Sequence, residues 1–123
     1  MKTLTVAQFR QQLKGQQVSR LDMAFICPMC GTVQSARLLI QAGAGKDFEG
    51  VGKYVGFSCV GRFTGKGPSS SEKGLNHGCN WTLGGLFQVH EFEVITDDGE
   101  QNPIFEPATR EQAIELANKL GVL

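Results

Sequence analysis

Apolar residues recur at helical spacing near both ends of this chain and in short runs between them. Thr5-Val6-Ala7-Gln8 is a capping box, in which a threonine hydroxyl and a glutamine side chain each accept an exposed backbone N–H. Val6, Phe9 and Leu13 then share one face while Gln8, Arg10, Gln11 and Gln12 fall elsewhere, which predicts a helix over about 5–14. Met23-Ala24-Phe25-Ile26 is a short apolar run, read as a strand that delivers Cys27. Ser35 to Ala42 reads as a second helix ended by Gly43. Asp47 to Gly52 reads as a loop, and Lys53 to Ser58 as a strand leading into Cys59. Residues 64–78, rich in Gly, Ser and Pro, resist regular structure. Leu86 to Ile95 is a long strand candidate whose alternation shifts phase near His90, as at a bulge. Asp97 to Glu100 is a turn, with Pro103-Ile104-Phe105 returning as a partner strand. A second capping box, Thr109-Arg110-Glu111-Gln112, opens a helix to about Leu120 with Ala113, Leu116, Ala117 and Leu120 inward and Gly121 as its stop.

These elements, taken with the close pair Cys27 and Cys30 and the further Cys59 and Cys79, predict an α+β fold: a zinc-ribbon-like core of short antiparallel strands with N- and C-terminal helices. With 123 residues the expectation is one zinc-binding domain spanning 1–123, large enough to bury a core of its own. The formal net charge of zero conceals a split. Residues 1–90 carry ten Lys/Arg and four Asp/Glu, whereas residues 91–123 carry two and eight. That pattern suits either a basic binding face with a separate acidic one or two parts that pair and solvate each other. No apolar run is long enough to span a membrane, and the first residues lack the apolar stretch of a signal peptide, so the expected compartment is the cytoplasm.

The compartment bears on the cysteines, because cytosolic thiols stay reduced and four of them point to a metal. Cys27-Pro28-Met29-Cys30-Gly31 has the two-residue gap that lets two thiolates reach one ion, and Gly31 suits the positive φ often needed after the second cysteine. Nineteen residues lie between Cys59 and Cys79, unlike the second close pair of an ordinary zinc ribbon, yet each has glycine nearby. Small neighbours let backbone N–H groups approach sulfur and steady its charge. The expected site is therefore Zn²⁺ on Cys27, Cys30, Cys59 and Cys79. Three rivals stay open: His77 in place of one cysteine, a thiol–disulfide pair at Cys27–Cys30, and an iron–sulfur cluster. A catalytic zinc would keep an open position, which four cysteines argue against.

Three ordered motifs carry a resemblance: Cys27-Pro28-Met29-Cys30-Gly31, then Phe57-Ser58-Cys59-Val60-Gly61-Arg62, then Gly78-Cys79-Asn80-Trp81-Thr82-Leu83-Gly84-Gly85-Leu86-Phe87. Together, over roughly Phe25 to Phe105, they resemble a small uncharacterised family found in bacteriophages and proteobacterial prophages. The resemblance implies a phage-encoded accessory protein acting in the host cytoplasm, with the C-terminal helix from Thr109 as a variable addition.

Arg62 and Trp81 lie in those motifs, and Lys53, Lys66 and Lys73 lie near them in sequence. An arginine and an aromatic beside zinc knuckles can grip nucleic acid by phosphate contact and base stacking. The plainer reading packs Trp81 under the zinc and pairs Arg62 with the acidic end. No nucleophile–base pair, phosphate loop or catalytic metal motif is visible, so the chain is expected not to be an enzyme. The leading expectation is a structural zinc module that binds and modulates a host protein in defence or nucleic-acid metabolism, with the acidic stretch 91–115 imitating nucleic acid. The alternative is a zinc-dependent nucleic-acid-binding protein using residues 46–73 and Arg62.

Overall fold

A computed structural model of the chain describes residues 2–64, 79, 82 and 92–121. In order they form β1 (Lys2–Thr5), α1 (Val6–Gly15), β2 (Ala24–Ile26), β3 (Val33–Ser35), α2 (Ala36–Gln41), α3 (Phe48–Val55), β4 (Phe92–Ile95), β5 (Gln101–Ile104), β6 (Glu106–Pro107) and α4 (Arg110–Lys119). Short 3₁₀ turns occupy Arg20–Asp22 and Val60–Arg62. The architecture is α+β, with two three-stranded sheets ordered β1-β4-β5 and β3-β2-β6. The first is mixed, β1 running parallel to β4; the second is antiparallel throughout.

Both capping boxes form. Thr5 and Gln8 exchange bonds at the start of α1, as do Thr109 and Gln112 at the start of α4. Val6, Phe9 and Leu13 are the half-buried positions of α1, and the Phe9 ring lies 6.1 Å from that of Phe25. Ala113 and Ala117 are buried, Ala113 in a cluster with Ala24 and Ala108, and Leu116 and Leu120 are half-buried. Replacing Thr109 by alanine removes an N-cap acceptor, and chemical denaturation is expected to show a loss of about 1 kcal/mol.

The segment before Cys59 departs from the sequence reading. Asp47–Gly52 is not a loop, nor is Lys53–Ser58 a strand; α3 covers nearly all of the first and the first half of the second. Asp47 caps it, its carboxylate accepting the Gly50 N–H at 2.9 Å, and Val51 and Val55 bury one turn apart. That burial outweighs the roughly 1 kcal/mol that each of Gly50 and Gly52 costs a helix. Past the helix end, Phe105 donates its N–H to the Gly56 carbonyl at 2.9 Å. A Cβ at Gly56 would stand 3.0 Å from Ile104 Cγ1, so a side chain here would press on the strand and the Ile104 side chain would have to give way.

The long strand expected over Leu86–Ile95 is described only as β4; its earlier residues and the loop expected after Thr64 lie outside the described residues. β4 turns through Asp97–Gly99, where Gly99 has φ +83°, and returns as β5, as expected. Glu93 is buried on β4 opposite Thr3 of β1, and Thr3 Oγ1 donates to its carboxylate at 3.1 Å.

The main core gathers Phe25, Leu39, Val51, Val55, Val60 and Phe105 around all four cysteines. A smaller cluster of Ala24, Ala108 and Ala113 packs with Ile26, Val33 and Leu116. Among the described residues no helix is long and apolar enough to cross a membrane.

Candidate metal centre

β2 and β3 form a hairpin in register Ala24↔Ser35, Phe25↔Gln34 and Ile26↔Val33. Its tip is the knuckle. Cys27 N–H donates to Thr32 O and Gly31 N–H to Cys27 O, both at 2.9 Å, with Gly31 at φ +77° as expected. Cys59 follows α3 through a turn in which the Ser58 N–H donates to Tyr54 O at 2.9 Å. An isolated antiparallel bridge joins Ser58 to Thr82, and their hydroxyls meet at 2.7 Å. This bridge sets Thr82 beside the residue that precedes Cys59.

The four sulfurs lie within 4.8 Å of one another, and each cysteine is no more than 1 % exposed. Cys27 Sγ stands 3.8 Å from Cys79 Sγ, and Cys30 Sγ 3.7 Å from Cys59 Sγ. A tetrahedron with metal–sulfur bonds of about 2.3 Å has edges of about 3.8 Å. These gaps therefore suit one shared ion. They are far too long for a disulfide bond of about 2.05 Å, and all four cysteines are free. An iron–sulfur cluster sets several iron atoms between its thiolates and needs them farther apart. The donor set and spacing are those of a single tetrahedral ion such as zinc.

Charge at the site is already partly met by the protein. Cys79 donates its backbone N–H to Cys59 Sγ at 3.2 Å, and Thr32 Oγ1 lies 3.0 Å from Cys30 Sγ. Without an ion the Cys59 thiol is held down to about 5, first by the Cys27 thiol and then by the N–H groups of Gly61 and Cys79, against the opposing effect of burial. Cys27 is pushed up as the proton-bearing partner of Cys59 and by burial. The small residues beside the cysteines thus serve the contact expected of them at Gly61.

The structure brings together Cys27, Cys30, Cys59 and Cys79. Arg62 is exposed on the 3₁₀ turn that follows Cys59, and Lys53 is exposed on α3, its ammonium 5.0 Å from the centre of the Tyr54 ring. Lys66, Lys73, His77 and Trp81 lie outside the described residues. Two contributors escaped the sequence reading: Thr32, whose place just after the knuckle glycine was the available signal, and the buried amide of Gln34.

Comparison with curated proteins and with solved structures returns no match. A family model described as VVA0879-like matches residues 5–108, which include α1, the knuckle and all four cysteines and end just before the Thr109 cap of α4. The chain therefore belongs to the VVA0879-like family.

Proposed function

We propose that the four thiolates hold one structural Zn²⁺ and that the protein acts as a binding module, not as an enzyme. The observation carrying this reading is the closure of the site: four fully buried sulfurs at tetrahedral spacing offer no open coordination position for water or substrate. A metal in this setting supplies rigidity, and activity falls to the surface that it holds in place. The phage-accessory role implied by the three motifs fits this reading, with a host protein as the partner and the host cytoplasm as the setting. Native mass spectrometry with metal analysis tests the ion: one zinc per chain is expected, whereas one iron with the same four ligands would keep the geometry and change the cofactor. Affinity purification of the tagged protein from host cells tests the partner. A single stoichiometric protein that survives nuclease treatment is expected, and no retained protein would remove the host-binding role.

The second reading, zinc-dependent binding of nucleic acid, has one observation in its favour: exposed Arg62 projects from the turn that begins at Cys59. On this reading affinity for single-stranded nucleic acid falls steeply with salt, and Arg62→Ala weakens it with a shallower salt slope. Absence of binding at low salt ends it.

A further inference from the structure

A buried amide connects two of the segments that carry the thiolate cluster. Gln34 lies on β3 opposite Phe25 and is fully buried. Its Nε2 donates to Val55 O and Ser58 O, both at 2.8 Å, and its Oε1 accepts the Val60 N–H at 2.7 Å. Two carbonyls and one N–H fix the orientation of the amide, since only the NH₂ end can serve both carbonyls. Ser58 and Val60 are the immediate neighbours of Cys59, so one side chain grips the backbone on both sides of that ligand. Through Val33 and Thr32, β3 runs back to the knuckle, whose Cys30 Sγ stands 3.7 Å from Cys59 Sγ. The amide thus ties the segment bearing one sulfur to the hairpin bearing two.

We propose that Gln34 is a positioning residue for the metal centre, holding the Cys59 segment in the geometry the ion requires. The proposal rests on the metal reading above. Groups that orient ligands from behind typically change metal affinity about 10–100-fold when removed. The alternative role is stability alone: three buried backbone groups would lose their partner wherever such an amide stood.

Gln16 separates the two roles within the same molecule. It is equally buried, donates to Ala24 O at 3.0 Å and Ala108 O at 2.9 Å, and accepts the Ala24 N–H at 2.7 Å. None of these partners adjoins a cysteine.

The test compares Gln34→Met and Gln16→Met in the full chain. Zinc affinity is read by competition with a chromogenic chelator, and site geometry by the visible absorption of the cobalt(II) form. Both variants are expected to denature more easily. Gln34→Met alone is expected to lose about tenfold or more in zinc affinity and to shift the cobalt bands. Val60→Pro serves as a milder variant and carries the test if Gln34→Met does not fold. It removes the N–H that Gln34 accepts and exchanges the buried Val60 side chain for a smaller apolar ring, at the first position of a 3₁₀ turn whose preceding residue, with φ −66° and ψ 142°, already suits proline. An intermediate loss of zinc affinity is expected from it. Equal losses in Gln16→Met and Gln34→Met would reduce Gln34 to a stability element. Unchanged affinity and cobalt spectrum in Gln34→Met, or in Val60→Pro where that variant stands alone, would overturn the proposal while leaving the metal reading intact. A parent protein that takes up neither zinc nor cobalt would overturn both.

Discussion

Replacing Cys79 by serine is expected to abolish metal binding and folding together. Cys79 is fully buried, its sulfur lies 3.8 Å from that of Cys27, and its N–H donates to the sulfur of Cys59. A serine hydroxyl occupies nearly the same space but does not ionise to give the anionic ligand that the thiolate supplies. Structural zinc binds finger peptides with an apparent free energy of about 10–16 kcal/mol, much of it expressed as folding. A domain's whole net stability is about 5–15 kcal/mol, so loss of one ligand in four can tip the balance. The cysteines also belong to the main core beside Phe25, Leu39 and Phe105, which spreads a failure there into the hydrophobic packing. Metal analysis and far-ultraviolet circular dichroism read the result: no bound zinc, and no cooperative thermal transition near that of the parent. Treating the parent with a strong chelator is expected to reproduce this state, and added zinc to reverse it. A metal-free Cys79→Ser protein with an unchanged transition would show that the core folds without the ion.

The legible parts of this molecule are those set by local chemistry. Both capping boxes, the Gly31 knuckle, the Gly99 turn and the inward faces of α1 and α4 depend on residues within a few positions of one another. The cysteine set was legible because two cysteines at a two-residue gap before glycine, with two more to complete four, match the ligand demand of a tetrahedral ion. What escaped depends on distance along the chain. β1 is four residues long and pairs in parallel with a strand about 90 positions away, so no turn announces it. α3 was hidden by Gly50 and Gly52; its Asp47 cap and the Val51–Val55 spacing were present, but only burial against the core gives them precedence over the glycines. Gln34 and Gln16 look like ordinary surface residues in sequence. Their roles exist only because folding brings unpaired backbone groups to them.

The buried ion pair between Asp22 and Arg37 gives the second large effect, with a pH signature of its own. Asp22 closes the 3₁₀ turn that leads into β2 and the knuckle, and Arg37 lies on α2. Arg37 Nε donates to Oδ1 at 2.8 Å and Nη2 to Oδ2 at 3.2 Å, while Ser19 Oγ donates to Oδ2 at 2.6 Å. Burial pushes the Asp22 carboxyl up, but the bonds from Arg37 and Ser19 outweigh it and hold the group below its ordinary range. A depressed folded value means that the pair's contribution is complete above the unfolded carboxylate range and is lost only as pH falls through the folded one. Arg37→Met leaves the carboxylate buried with Ser19 as its one remaining partner among those three bonds. The expected cost at neutral pH is about 2–3 kcal/mol by chemical denaturation, below the 3–5 kcal/mol of a fully buried pair because the Arg37 side chain is 29 % exposed. Without the guanidinium, burial dominates and the folded value rises above the unfolded one. The sign then reverses: Asp22 in the variant gains stability as pH is lowered from 7 toward 5 while Asp22 in the parent gains nothing, so the deficit of Arg37→Met relative to the parent shrinks over that interval, the metal site responding to pH alike in both. Adding Asp22→Asn to Arg37→Met removes the stranded charge, so the double variant is expected to be more stable at pH 7 than Arg37→Met alone. A pH-independent deficit in Arg37→Met would mean that the arginine contributes through packing of its side chain instead of through the charge of Asp22.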